Sequence, residues 1–172
     1  NAMTASDWTV YPFASQNKKD FFNLLSVYLD AVFFPNIHPL DFAQEGVRVE
    51  INQNNQPEYH GIVFNEMKGA MSGEIDQLYY ALMPQLFPTT TYHYNSGGDP
   101  AQIPKMTHED LVAFHQTHYH PSNAIIMSFG NIAVDEIQAK IHDEALSHFE
   151  DIQRPAQGKK FTSVIEKPLS QS

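Results

Sequence analysis

There is no cysteine in this chain, which excludes disulfide frameworks and thiolate zinc sites and leaves histidine and carboxylate side chains to bind any metal. Basic residues are scarce: ten Lys plus Arg stand against twenty Asp plus Glu, a formal charge of −10. That balance argues against a nucleic acid or an anionic membrane as the main partner. Long apolar runs are missing too, because Asp30, Asn36 and Gln85 interrupt the richest stretches, so no membrane span is expected. No charged segment followed by an apolar one opens the chain, so no signal peptide is visible. One further absence bears on chemistry: no helical pair of histidines one turn apart is joined to a glutamate, as in H-x-x-E-H.

What is present suffices for an ordinary domain, since 172 residues with 42% hydrophobic and 12% aromatic side chains can bury a sizeable core. Trp8 to Ala14 alternates as a strand, with Pro12 marking an edge or bulge. Ser15-Gln16-Asn17 supplies helix-start chemistry for Lys18 to Phe34, a buried helix that Pro35 ends. A helical turn is expected at Asp41 to Glu45, a strand at Gly46 to Asn52 and a polar turn at Asn52 to Pro57. Two helical stretches follow, Gly61 to Ala70 and Ser72 to Leu86, then a long surface loop from Phe87 to Lys105. Thr107 with Asp110 forms a capping box for a helix that stops at Pro121. Asn123 to Phe129 reads as a buried strand, Val134 to Phe149 as an amphipathic helix, and the stretch from Gln153 as a Pro-, Gly-, Lys- and Ser-rich linker. The expected fold class is therefore α+β, a largely antiparallel sheet covered by helices, with residues 1–150 as the domain and 151–172 as its tail.

Several side chains invite a chemical reading. Glu66 stands in G-I-V-F-N-E-M-K-G, Gly61 to Gly69, just after a short apolar stretch; a lone carboxylate of this kind is most often a solvated helix residue. His108, His115, His118 and His120 look like a nest of imidazoles. Positions 115 and 118 can share a helix face, with His108 one or two turns earlier, but His120 precedes a proline and should point elsewhere, so surface positions are the simpler expectation. Leu111, Val112, Phe114 and Tyr119 are expected to pack that helix, and Tyr119, Pro121 and Asn123 to be structural. Ser96-Gly97-Gly98-Asp99 lacks the strand before it and the Lys-Ser/Thr after it that a phosphate loop needs, and reads as a turn. Phe21, Phe22, Phe33 and Phe34 are expected in the core, and His60 is a minor candidate for a spare ligand near Glu66.

Five strings occur in one order: Thr4 to Asn17, Lys19 to Pro35, Gly61 to Gly69, Ser96 to Pro100 and Tyr119 to Ala124. Together they resemble the pitrilysin/insulinase clan of zinc metallopeptidases, in its presequence protease branch. The resemblance implies a pitrilysin-like catalytic domain in which an H-x-x-E-H helix supplies two histidines and a glutamate base, and Glu66 is the third zinc ligand. A catalytic zinc held by three His or carboxylate ligands keeps a position open for water. The same resemblance implies that Asn1, Ala2, Met3 and Thr4 lie on a strand edge that takes extended peptide as an added strand. Asn1-Ala2 ahead of Met3 fits equally the scar of a cleaved purification tag.

On this reading the chain is a piece of a zinc metalloendopeptidase that degrades unfolded oligopeptides in a chamber of two homologous halves. It holds one metal ligand, lacks the base, has no catalytic residue of its own, and is expected to be inactive alone with its zinc position empty. Its expected partners are unstructured peptides and the rest of the parent chain, and sheet strands left unpaired predict self-association through an exposed edge. A soluble compartment, cytoplasmic or organellar matrix, is expected. Two other classes compete: a non-catalytic chamber-forming domain of the same clan, and a small metal-binding module built on the histidines.

Overall fold

The computed structural model describes residues 1–150. They form helices and two small antiparallel strand pairs, in agreement with an α+β chain. The expected linker from Gln153 lies outside the described residues. Two compact units emerge, one built from Tyr11–Asn36 and the stretch beginning at Leu111, the other from Ala2–Val10 and Ile37–Asp110.

The first unit is organised by α1 (Lys18–Phe33). Asn17 caps it as its composition predicts, its side chain accepting from the amides of Lys19 and Asp20 at 2.9 and 3.1 Å. Leu25, Leu29 and Phe33 recur along one face and are buried against Ile137, Ile141 and Ala145. The last three come from α6 (Val134–Ile141) and from a π turn, His142–Leu146, that continues into α7 (Ser147–Glu150). Phe21 and Phe22 are partly buried against this cluster, whereas Phe34 is not in the core and stacks on Phe149 with centroids 5.6 Å apart. The Tyr11 and Tyr119 hydroxyls meet at 2.7 Å. Burial first, and that bond second, push the Tyr11 phenol well above the usual tyrosine range.

In the second unit β1 (Met3–Thr4) pairs with β2 (Thr9–Val10), Met3 opposite Val10 and Thr4 opposite Thr9. The strand expected over Trp8 to Ala14 is thus cut to two residues. The Trp8 carbonyl is used to close the turn with the Ala5 amide at 2.9 Å, and Pro12 has no amide to extend a ladder. After α2 (Pro39–Glu45), β3 (Arg48–Ile51) and β4 (Pro57–His60) form a hairpin with Arg48 opposite His60 and Ile51 opposite Pro57. Its turn is built by Asn52, whose side chain accepts from the amides of Asn54 and Gln56, both at 3.0 Å. Then come α3 (Ile62–Ala70) and α4 (Glu74–Leu86). The loop from Phe87 to Lys105 contains 3₁₀ turns at Thr91–His93 and Ile103–Lys105, and Ile103 is buried rather than at the surface.

The capping box forms at α5 (His108–His118): Asp110 accepts from the Thr107 amide and hydroxyl at 2.9 and 2.8 Å, and its own amide donates to the Thr107 hydroxyl at 3.1 Å. Two expectations nearby are corrected. Phe114 does not pack inward but is exposed, lying against His118. Asn123 to Phe129 is neither buried nor part of a sheet: Pro121–Asn123 is a 3₁₀ turn, and residues 124–129 run on without a strand partner among the described residues. β-propensity describes a side chain's fit to a pleated surface and cannot supply the neighbouring strand.

Candidate metal-ligand site

Glu66 sits on α3, which the hairpin delivers directly, with one residue, Gly61, between β4 and the helix. That residue is buried at a close backbone approach. A Cβ there would lie 2.0 Å from the Gly46 carbonyl oxygen and 2.9 Å from the Val47 Cα, so only glycine fits without moving backbone. Phe64, Met67 and Met71, spaced three and four apart, turn towards the unit. Phe64 is buried edge-on to Tyr59, centroids 6.0 Å apart.

Met67 is received by the S-G-G-D turn. A Cβ on Gly97 would fall 2.3 Å from the Met67 sulfur, so the missing side chain is the space the thioether fills. Asn95 ties the turn to itself and to the helix. Its amide nitrogen donates to the Gly98 carbonyl at 3.2 Å and to the Met71 sulfur at 3.7 Å, and its amide oxygen accepts from the Gly97 amide at 3.0 Å. Gly98 takes φ +94°, a conformation that favours glycine. This buttress is the part of the site that residue types alone did not reveal; the string S-G-G-D-P, read as a turn, was its only signal.

Glu66 itself lies on the opposite face, exposed, with Ile62, Val63, Gly69 and Ala70 also exposed. Among the described residues no side chain hydrogen-bonds or ion-pairs with it, and no group of three His, Asp or Glu side chains is placed to hold a metal ion. The His60 ring is instead 3.8 Å from the Glu58 carboxylate.

The histidines do not form one nest. His108 donates to the Ile37 carbonyl at 2.6 Å, and His115 donates to the Val32 carbonyl at 2.8 Å while stacking on Tyr119. His118 lies against Phe114, and the His120 Nδ1 accepts from the Ser122 amide at 3.1 Å. Each ring serves its own neighbourhood.

At the N-terminus, Met3 and Thr4 use one edge to pair with β2, and their other edge is unpaired among the described residues. The Asn1 ammonium donates to the Tyr28 hydroxyl, and Ala2 is exposed ahead of the strand. The Ala5–Trp8 turn is pinned by Tyr92, whose hydroxyl donates to the Asp7 carboxylate at 3.1 Å. That bond raises the Tyr92 phenol above its ordinary value. No helix among the described residues is long and apolar enough to cross a membrane.

Residues 105–171 match the family model described as "Peptidase M16 inactive domain". This match runs across residue 150, where the sequence places the start of a linker. Over 158 residues the chain is 51% identical to "Presequence protease, mitochondrial" of Mus musculus, covering 90% of this chain and 15% of that protein. The Xenopus tropicalis protein of the same name is 52% identical over 156 residues, 88% of this chain and 15% of the relative. "Protein HypA" of Clostridium perfringens is 48% identical over 154 residues, 87% of this chain and 16% of the relative. The chain thus spans about 15% of the length of the curated relatives it matches. With half of its residues identical to those relatives across nearly its whole length, the chain belongs to the M16 peptidase family, in the presequence protease branch.

Proposed function

We propose that this chain is part of a zinc metalloendopeptidase acting on unfolded oligopeptides, in which Glu66 is one protein ligand of the metal and the others stand on an H-x-x-E-H helix of the same enzyme. The observation that carries the proposal is the presentation of Glu66: an exposed carboxylate without a partner among the described residues, on a helix fixed at Gly61 and again at Met67. It fits one position of a His and carboxylate ligand set. It does not fit as a whole site, for no second or third donor converges on it. When bound, a zinc with three protein ligands supplies an activated water and a polarised substrate carbonyl. The part of Glu66 is to remain anionic and fixed. The part of Met3 and Thr4 is to offer their open edge to an extended peptide, with Asn1 and Ala2 continuing that line.

A second role rests on the match of residues 105–171 to an inactive domain: this part of the chain walls a chamber and does no chemistry. A soluble compartment, cytoplasmic or an organelle matrix, accords with relatives whose names carry "mitochondrial".

The test is metal analysis and peptide hydrolysis on the full-length parent. Glu66→Gln is expected to lower zinc affinity by at least the roughly 10–100-fold typical of losing an outer-shell partner, and to remove hydrolysis while leaving the circular dichroism spectrum unchanged. The 172-residue chain alone is expected to cleave nothing. Zinc retained in full by Glu66→Gln would overturn the ligand assignment, and hydrolysis by the short chain would overturn the placement of the other ligands elsewhere.

A further inference from the structure

Glu66 and Met67 are neighbours in the chain, so their side chains leave the axis of α3 about 100° apart, and whatever fixes the direction of one fixes that of the other. Phe64 holds the first half of the helix on Tyr59 of the hairpin. The second half meets the Asn95–Gly98 turn through two sulfurs. The Met67 sulfur lies 2.3 Å from where a Gly97 Cβ would stand, and the Met71 sulfur accepts from the Asn95 amide nitrogen at 3.7 Å. Met67 and Met71 lie one above the other on one helix face, so the two contacts together resist rotation about the axis and sliding along it. Rotation matters more. Side-chain tips stand about 5–6 Å from a helix axis, so a turn of about 10° carries the tip of such a side chain by about 1 Å. That is twice the roughly 0.5 Å within which a functional group must be held.

The two glycines of the turn are there for different reasons. Gly98 takes φ +94° and is called for by its own backbone, whereas Gly97 is not in the left-handed region and its backbone is open to a side chain. What a side chain at Gly97 would displace is the Met67 sulfur. The turn is braced as a seat must be: the Asp99 carboxylate accepts from the Ala101 amide at 2.8 Å, and the Asp99 carbonyl accepts from the Gln102 and Ile103 amides at 2.8 and 2.9 Å, leading into the buried Ile103. We infer that Met67, seated over Gly97, is a positioning residue for Glu66: the Asn95–Gly98 turn grips α3 on the face away from the carboxylate and sets the direction in which that carboxylate is presented. The inference rests on the reading of Glu66 as a metal ligand, and it assigns the turn a part in the metal site that is exercised through Glu66.

Zinc affinity of the full-length parent tests it, together with hydrogen exchange of the α3 amides in the metal-free protein. Gly97→Ala and Met67→Ala are each expected to weaken zinc binding by roughly 10-fold and to speed exchange across Ile62–Ala70. The double variant is expected to lose no more than either single one, because both remove the same contact. Met67→Leu, whose branch reaches as far as the sulfur, is expected to bind zinc nearly as the wild type does. The cobalt-substituted Gly97→Ala enzyme is expected to show an altered visible spectrum, a change in ligand geometry that a loss of stability alone does not produce. Zinc binding weakened by Glu66→Gln but untouched by Gly97→Ala and Met67→Ala would overturn this inference and leave the ligand reading standing. Zinc held in full by Glu66→Gln would overturn the ligand reading, and this inference with it. Single losses that multiply to roughly 100-fold in the double variant, or exchange in α3 that neither substitution changes, would also overturn it.

Discussion

The unit built on α1 and α6 closes Leu25, Leu29, Phe33, Ile137, Ile141 and Ala145 into one core, while the unit that carries Glu66 buries Phe64 and Ile103 as its large apolar side chains among the described residues. The second unit is not short of apolar residues. On α4, Ile75, Leu78, Leu82 and Leu86 recur at helical spacing and are exposed, and Val49, Ile51 and Tyr59 are exposed along one face of the hairpin. It is held instead by local devices: a glycine pressed on backbone, a thioether seated over another glycine, an asparagine-tied turn and a capping box. One unit draws its stability from burial, the other from geometry. Substitutions should therefore act by different rules in the two.

The largest effect is expected from Leu29→Ala, which opens a cavity in the closed core and should cost about 2–5 kcal/mol in denaturant unfolding. Leu78→Ala removes the same atoms from α4 and should change stability by less than about 0.5 kcal/mol, because they are already in water. A Leu78→Ala loss equal to that of Leu29→Ala would break the comparison, since it would require that face of α4 to be covered. The next largest effect should come from the two glycines that bound the Glu66 nonapeptide. Gly61→Ala must displace the Gly46–Val47 backbone and is expected to cost about 1–3 kcal/mol. Gly69→Ala meets nothing within 4 Å on an exposed helix position and should stabilise by about 0.5–1 kcal/mol. Thermal melts of the pair would sharpen the contrast, and a stabilising Gly61→Ala would refute the close approach.

Much of this layout is written locally in the chain. Asn17 and Pro35 bracket α1, Asn52 makes the hairpin turn, and Thr107 with Asp110 starts α5, because capping and turn chemistry act over three or four residues. Where the sequence misleads, the deciding partner is distant in the chain. Asn123 to Phe129 has strand-like side chains, yet a strand is defined by a neighbour that composition cannot name. Phe114 has the spacing of a packed residue and faces outward. The proposal of Glu66 as a ligand draws on its N-E-M-K-G setting alone, since an exposed glutamate on a helix is otherwise ordinary. The glycines around it were visible as letters, but why Gly61 and Gly97 must lack a Cβ emerges only from the backbone and sulfur that press on them.

The smallest effect concerns the device that starts α5, and it separates the two bonds of the capping box by pH. Asp110 is fully exposed, so burial does little to it. Its carboxyl is held below the ordinary aspartate range first by the Thr107 amide and then by the Thr107 hydroxyl. A carboxyl whose folded value is depressed binds its proton more readily in the unfolded chain. The stabilisation it gives is complete above the unfolded value, about 4, and is lost as pH falls through the lower folded value. An NMR titration of the Asp110 carboxyl carbon should therefore show a midpoint below that of an unfolded aspartate. Thr107→Ala removes the hydroxyl and keeps the amide, so the midpoint should move up only part of the way, because the larger of the two contributions survives. A midpoint that returns fully to the unfolded value would show that the hydroxyl, not the backbone, holds the first turn. The second unit's reliance on backbone geometry would then fail at the place where it is easiest to measure.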